Sequence, residues 1–350
     1  MQIEAKVCVF EGVVALLGHP VLHSLSPQMQ NAAFRASGIP YRYIAFDVKP
    51  ELLASAVEGM RALGFRGANV TIPHKVEIVK HLDEIDAVAA QIGAVNTIVV
   101  DADGRLIGYN TDAGGLLEAL KSDASFDPRG KNALIFGAGG AARACCFALA
   151  SAGIDGITIV NRSSVNALSL ANALRKAHPD CKVSTIALES EGQADCAPHG
   201  ATYGSGIMKN ASKQENGMSD GTGTTGLTSP IPHAVLEKLD LVINATPLGL
   251  WPEWAGQSPL PRDRLGAVPA ECVVVDLVYR PVRTPLLKYA ARRGLLTVSG
   301  LSILLHQGAL AFRLWTAKPA PLDVMKAALN AALGSEEPFS ELGESRGGKA

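Results

Sequence analysis

The feature that most constrains this chain is an apolar run at 132–136, Asn-Ala-Leu-Ile-Phe, that passes directly into Gly137-Ala138-Gly139-Gly140-Ala141-Ala142. A short apolar run without polar alternation predicts a buried strand, and the pattern that follows it, to about residue 152, predicts a helix. Strand, G-x-G-x-x-A turn and helix in direct succession form the βα unit of a dinucleotide-binding domain. Gly137 permits the tight turn and Gly139 lets backbone approach a pyrophosphate, while Ala142 lets the helix pack close to the strand. Unpaired N–H groups and the dipole at the helix start favour the phosphates. Further strands are predicted at 156–160, 241–244, 272–276 and 295–298, giving a doubly wound, Rossmann-type sheet.

The end of the second of these strands selects the dinucleotide. An acidic residue there would bind a ribose 2′-OH and repel a 2′-phosphate. This chain has Asn161-Arg162-Ser163 instead. Arg162 can pair with a 2′-phosphate through charge-assisted hydrogen bonds, with Ser163 as a further donor, which points to NADP. No second cation follows before Arg175, so the preference is less strict than two cations would make it.

The N-terminal part is also α/β. Strands are predicted at 12–17, 41–48, 67–72 and 97–101, and helices at 29–37 and 51–63. Residues 75–92 carry apolar residues at helical spacing, and Asp103-Gly104 marks a hairpin turn. Interleaved strands and helices predict a largely parallel sheet. The chain is therefore read as two α/β domains: 1–113, and a nucleotide domain at 114–300. Met29 and Phe34 are assigned to helix core. The segment 189–228 is rich in Gly, Ser, Thr, Asn and Asp and reads as an insertion too polar to order itself. The charged, Gly-rich tail 334–350 reads the same way.

Charge and cysteine content exclude several function classes. Lys plus Arg total 32 and Asp plus Glu 33, for a net charge of −1. That balance argues against a nucleic-acid or acidic-membrane partner. No apolar run reaches the roughly 18 residues of a membrane span, and the N-terminus lacks the basic region of a signal peptide. The six cysteines show neither paired nor metal-ligand spacing, so no metal is implied and the thiols are expected reduced in a cytoplasmic protein. Monomer and homodimer both stay open.

Four polar clusters lie beside the N-terminal strands: His23-Ser24-Leu25-Ser26-Pro27, the stretch from Asn69 to Lys75, Gly93-Ala94-Val95-Asn96-Thr97, and Gly108-Tyr109-Asn110-Thr111-Asp112. Together they supply hydroxyls, amides, one lysine and one aspartate. That set suits a small, polyhydroxylated, anionic substrate, because sites built from several hydrogen bonds reject ligands that leave buried groups unpaired. His23 and His74 are read as loop hydrogen-bonders. Trp251 and Trp254 line the cleft mouth or cap the surface.

These clusters, with GHPVLHSLSP, GANVTIPHK, IGAVNT, GYNTD, GAGGAAR, NATPLG, DLVY and GLSILLHQG in this order, resemble the shikimate dehydrogenase family of the bacterial, single-function, NADP-dependent type. The resemblance implies reversible, NADPH-linked reduction of 3-dehydroshikimate to shikimate in aromatic amino-acid biosynthesis. It implies that 301–333 return to complete the substrate domain. By motif, Lys75 and Asp112 are the catalytic pair, and Ser24 and Ser26 bind the substrate carboxylate. Asn69, Thr71, Asn96, Tyr279 and Gln307 are further substrate contacts. Gly137, Ala138, Gly139, Gly140, Ala141, Asn161, Arg162, Ser163, Thr246, Leu277 and Gly300 surround the cofactor.

Oxidising a secondary alcohol sends hydride to the nicotinamide and a proton to a base within hydrogen-bond reach. Desolvation in a cleft favours a neutral lysine amine, while a paired carboxylate favours the ammonium, so which group of the pair carries the proton stays open. A paralogue acting on quinate or an aminated analogue is one alternative; the paired serines and Arg162 lean against it. A non-catalytic NADP-binding sensor is another, and retention of both Lys75 and Asp112 argues against that.

Overall fold

A computed structural model describes residues 11–21, 23–188 and 231–334. The segment predicted as an insertion, 189–228, lies outside the described residues, as does the predicted tail beyond 334. The described residues form two six-stranded sheets with helices on their faces.

The first sheet contains β1 (Gly12–Gly18), β2 (Tyr41–Asp47), β3 (Gly67–Val70), β4 (Glu84–Ile85), β5 (Thr97–Val100) and β6 (Leu106–Tyr109), in the order β2-β1-β3-β5-β6-β4. It is mixed, which corrects the expectation of a largely parallel sheet. β1 runs parallel to β2 and β3, and β4 to β6. The pairs β3–β5 and β5–β6 are antiparallel. The reason is local: a link as short as 101–105 can join only antiparallel neighbours. Asp101 Oδ1 accepts from the N–H groups of Asp103 and Arg105 at 2.9 and 2.8 Å, and Gly104 takes the left-handed φ of +79° that closes the turn.

The second sheet contains β7 (Asn132–Phe136), β8 (Gly156–Asn161), β9 (Lys182–Ala187), β10 (Leu241–Asn244), β11 (Val273–Asp276) and β12 (Thr297–Ser299), ordered β12-β11-β10-β7-β8-β9. Every pairing is parallel. The order reverses between β10 and β7, which opens a crevice at the carboxyl ends of those strands. Edge strand β9 escaped prediction. Its side chains are only partly covered, so it lacks the apolar run that marks β7, β10 and β11.

The helices are α1 (Ser26–Ala36), α2 (Leu53–Ala62), α3 (Ala87–Ile92), α4 (Thr111–Ala124), α5 (Gly140–Ser151), α6 (Ser164–Ala177), α7 (His233–Leu236), α8 (Arg262–Leu265), α9 (Pro285–Arg292), α10 (Gly300–Thr316) and α11 (Leu322–Leu333). The helical spacing at 75–92 does not yield one helix. It resolves into a 3-10 turn (Glu77–His81), β4 and α3. Two aspartates break it, because short acidic side chains compete for backbone N–H groups. Asp83 Oδ2 accepts from Leu106 N at 2.7 Å and ties the chain to β6. Asp86 then caps a new helix through Val88 N at 3.0 Å.

Helix α4 leads from the first sheet to the second, and α10 runs back beside it. Gly115 makes that closeness possible: a Cβ there would lie 2.7 Å from Gln307 Cβ and 2.8 Å from its backbone nitrogen. Helices α10 and α11 join α1 and the first sheet in one core. Met29 and Phe34 are fully buried there, as expected of helix core. Phe34 stacks on Phe312 at 5.5 Å, and Trp315 Nε1 donates to Ile98 O of β5 at 2.9 Å. Gln30 Nε2 donates to Gly308 O at 2.9 Å, also fixing α1 on α10.

Candidate active site

The carboxyl ends of β3 and β6 and the amino end of β5 lie together in the first sheet and face the glycine turn after β7 in the second. Lys75 lies in the turn after β3, and Asp112 in the first turn of α4, where the helix dipole favours a carboxylate. Lys75 Nζ donates to Asp112 Oδ2 at 2.5 Å. Their side chains are 14% and 17% exposed. That is dry enough to strengthen a charge pair and open enough for a ligand to touch it. Beneath the pair lies Cys145 on α5. Burial pushes its thiol up to about 12, Asp112 adds to that rise and Lys75 opposes it.

Asn96 orients the carboxylate. Its Nδ2 donates to Asp112 Oδ1 at 2.7 Å, which leaves Oδ2 to Lys75. Its Oδ1 accepts from Thr111 N at 2.7 Å and from the hydroxyls of Thr97 and Thr111 at 3.1 Å each. Gln307 Oε1 lies 3.4 Å from both Asn96 Nδ2 and Thr111 Oγ1, which is a loose contact. Gln307 Nε2 instead holds Leu304 O at 3.0 Å. Asn69 sits one layer below. Its Nδ2 donates to Asn96 O and to Thr97 Oγ1, both at 3.0 Å. Both Asn69 donors are thus engaged within the protein, and the residue bears on the site by fixing Asn96 and Thr97.

A second group gathers around Ser24 and Ser26, at the start of α1. Ser24 Oγ accepts from Ser26 N at 3.3 Å, which fixes the loop. Tyr279, from beyond β11 in the second sheet, reaches across the cleft. Its hydroxyl pairs with the Ser24 side chain and with the backbone of Leu25. Burial raises the Tyr279 phenol, the Ser24 contact and the nearby Arg280 charge lower it. His23 is lowered first by burial and then by that same Arg280 charge. Thr71 makes no side-chain hydrogen bond among the described residues. His74 is a loop hydrogen-bonder, its Nε2 donating to Val48 O at 2.7 Å.

Tyr43 connects the two groups, and nothing in the sequence singled it out. It is a buried strand residue on β2 whose hydroxyl donates to Asn69 Oδ1 at 2.8 Å and pairs with Ser26. Burial pushes its phenol well above the ordinary value, so it stays a protonated donor. A continuous hydrogen-bonded path runs from Tyr43 through Asn69 and Asn96 to Asp112 and Lys75, with Ser26 beside its Tyr43 end. Its core threonines, Thr97 and Thr111, sat inside recognised motifs but were not assigned roles.

On the other wall, the residues assigned to the cofactor surround the crevice between β7, β8, β10 and β11. Gly137 has φ +110°, and a Cβ there would lie 2.9 Å from Ala245 O, so only glycine fits. Gly139 opens α5 with no side-chain cap and with free space where a Cβ would be. Uncapped N–H groups around an open cradle fit a pyrophosphate. Ala138 and Ala141 flank this turn. Asn161 Nδ2 donates to Ser163 O at 2.9 Å, and Ser163 caps α6 through Asn166 N at 3.3 Å. Between them Arg162 is exposed. Gly300 opens α10 directly against Leu277 O, where no Cβ could fit. Trp251 is exposed, and its backbone N–H donates to Arg280 O at 3.0 Å.

Thr246 is held by Asn244, whose Oδ1 accepts from Thr246 Oγ1 at 2.6 Å. Asn244 in turn donates to Leu248 O and to Asp276 Oδ1, both at 2.9 Å. Asp276 is fully buried. Thr284 Oγ1 donates to its Oδ2 at 2.6 Å and Val278 N to its Oδ1 at 3.0 Å. Burial pushes its carboxyl up to about 7, against the pull of these three hydrogen bonds. Asp276 and Thr284 escaped assignment, although Asp276 begins the DLVY motif. Among the described residues no group of three or more metal-ligating side chains occurs, and no helix is long and apolar enough to cross a membrane.

Two family models match the chain. Residues 16–98 match the shikimate dehydrogenase substrate-binding domain and 300–329 the shikimate 5′-dehydrogenase C-terminal domain. A protein of Moorella thermoacetica named shikimate dehydrogenase (NADP(+)) is 47% identical over 324 residues, covering 93% of this chain and 94% of its own. A protein of that name from Symbiobacterium thermophilum is 42% identical, covering 92% and 94%. The crystal structure of shikimate 5-dehydrogenase from Thermus thermophilus, in complex with NADP(H) and shikimate, is 36% identical. It superposes with a TM-score of 0.71 over 92% of this chain and 100% of that one.

Proposed function

The chain belongs to the shikimate dehydrogenase family, and we propose that Lys75 and Asp112 form the proton-handling pair with which it interconverts 3-dehydroshikimate and shikimate. It is an NADP-dependent oxidoreductase of the shikimate pathway. The observation that carries the assignment of the pair is its geometry: Lys75 Nζ on Asp112 Oδ2 at 2.5 Å, with Asn96 holding the other carboxylate oxygen.

Bound NADP⁺ would supply the hydride acceptor for the alcohol carbon, and bound NADPH the hydride donor for the ketone. The residues of this chain supply the rest. Backbone N–H groups at the start of α5 hold the pyrophosphate, and Arg162 and Ser163 hold the 2′-phosphate. Ser24, Ser26 and Tyr279 take the substrate carboxylate, and Thr71 offers its hydroxyl to the ring. Substrate hydroxyl and pair then lie within hydrogen-bond reach, and the proton released on oxidation passes to the Lys75–Asp112 unit. In the reducing direction the same unit returns it to the nascent alkoxide. Asn96 keeps Asp112 from rotating, so the pair presents one geometry in both directions.

The first sheet with α10 and α11 is the substrate domain, and the second sheet the NADP domain. The four described cysteines are free and buried, which suits the reducing cytoplasm.

The test is initial-rate absorbance at the nicotinamide band with shikimate or quinate, each with NADP⁺ or NAD⁺. Turnover is expected mainly with shikimate and NADP⁺. Lys75→Ala lowers kcat by roughly 10²-fold or more with NADPH affinity unchanged. A Lys75→Ala enzyme with near-normal kcat would refute the assignment.

A further inference from the structure

Gly140 belongs to the cofactor turn through its backbone N–H, but neither the turn nor the phosphate cradle explains why it lacks a side chain, since a Cβ there would point away from the cradle, toward Lys75. Gly137 is required by its backbone conformation, Gly139 faces open space where phosphate fits, and Ala142 packs the helix. Gly140 has no positive φ to demand glycine. It faces the other sheet instead. A Cβ on Gly140 would lie 3.0 Å from Lys75 Cβ, 3.5 Å from Lys75 Cδ and 3.7 Å from Ala94 Cβ. The first turn of α5 is thus the seat on which the lysine side chain rests.

One turn further on, Arg143 reaches across to the same corner. Its Nε donates to Ile92 O, at the end of α3, at 2.6 Å, where a cation also meets the negative end of the helix. Its Nη2 would lie 3.0 Å from a Cβ on Gly93, and its guanidinium lies over the Phe147 ring at 6.0 Å. The corner it grips carries the machinery. Val95 N donates to Lys75 O at 2.8 Å, Asn110 Nδ2 donates to Ala94 O at 2.9 Å, and Asn96 follows directly.

We propose that Gly140 and Arg143 are positioning residues for the Lys75–Asp112 pair: Gly140 leaves room for the Lys75 side chain, and Arg143 clamps the 92–96 corner that holds Lys75 and Asn96. The inference rests on the reading of Lys75 and Asp112 as the proton-handling pair. It makes the cofactor turn a part of the catalytic geometry as well as a phosphate cradle. A phosphate-binding role for Arg143 predicts a different result, since its loss would then weaken NADPH binding.

The experiment compares Gly140→Ala, Arg143→Gln, Arg143→Lys and Lys75→Ala in the full-length enzyme. It measures kcat, KM for shikimate, kcat against pH, and NADPH affinity from nucleotide fluorescence without substrate. NADPH binding also reports that the nucleotide domain is folded. An added Cβ at 140 forces Lys75 to shift by a few tenths of an ångström, which at a reacting centre corresponds to a kcat loss of about tenfold. Gly140→Ala and Arg143→Gln are expected to show that loss and a displaced pH profile, with NADPH affinity within about twofold. Arg143→Lys, which can still donate to Ile92 O, recovers part of the rate. Full kcat in Gly140→Ala and Arg143→Gln, or a loss confined to NADPH affinity, overturns the inference while Lys75→Ala remains inactive. Full kcat in Lys75→Ala overturns the underlying assignment and the inference with it.

Discussion

The buried carboxyl of Asp276 makes a quantitative prediction about stability against pH. Asp276→Asn is nearly isosteric, and an asparagine can keep the contacts to Asn244 and Val278 through its oxygen while its amide donates to Thr284 Oγ1. The aspartate carboxyl is raised from 3.8 to about 7 by burial. The folded state therefore holds the proton at pH values where the unfolded chain has released it. A raised pKa gives stability that is complete below pH 4 and is lost as pH rises through 7. A shift of about 3 units corresponds to about 4 kcal/mol at 1.36 kcal/mol per unit. The asparagine variant has no such titration. Urea unfolding of both proteins at intervals from pH 4 to pH 8, monitored by tryptophan fluorescence, isolates the effect as a difference. The wild type is expected to lose about 4 kcal/mol relative to Asp276→Asn across that range, most of it between pH 4 and 7. A difference that stays flat from pH 4 to 8 would refute the reasoning: Asp276 would then be ionised in the fold, stabilised by its three hydrogen bonds.

Arg162→Ala is expected to raise KM for NADP⁺ by roughly 10- to 100-fold, the value of charge-assisted hydrogen bonds to one phosphate, with NAD⁺ kinetics unchanged; equal effects on both nucleotides would exclude a 2′-phosphate contact. Tyr43→Phe leaves Asn69 Oδ1 buried without its donor, at a cost of about 1–3 kcal/mol in urea unfolding. Because the same hydroxyl pairs with Ser26, KM for shikimate rises in that variant as well. A Tyr43→Phe protein with wild-type stability and KM would show that the path through Asn69 is not energetically connected.

The elements that were legible in the sequence are those whose signal is local. β7, its glycine turn and α5 follow from a contiguous stretch in which apolar run, positive-φ glycine and small residues each have one structural meaning. β10 and β11 are short apolar runs buried on both faces, and they sit within a residue of their predicted positions. The dependence of Lys75 on Asp112 came through motif resemblance rather than spacing, since 37 residues separate the two. Residues 75–92 misled because their apolar spacing fits a helix, while Asp83 and Asp86 answer to β6 and to a new helix start. Tyr43 reads as an ordinary strand aromatic until the fold places its hydroxyl beside Asn69 and Ser26.

The amino-acid order by itself determined the doubly wound nucleotide sheet, the arginine that stands in place of an acidic residue after the second strand of that sheet, and the set of polar side chains in the N-terminal motifs. Each rests on backbone preference, charge or composition within a few residues. The tertiary structure alone decided which of those polar groups meet. Asn96 becomes the holder of Asp112 only because β3, β5 and the start of α4 converge, and Gln307 comes near them only because Gly115 lets α10 approach α4. Burial raises the Asp276 carboxyl only because the fold closes over it, and Gly140 meets Lys75 only across the gap between the sheets. Hydrogen bonds and desolvation act over a few ångströms in space, and separation along the chain does not encode them.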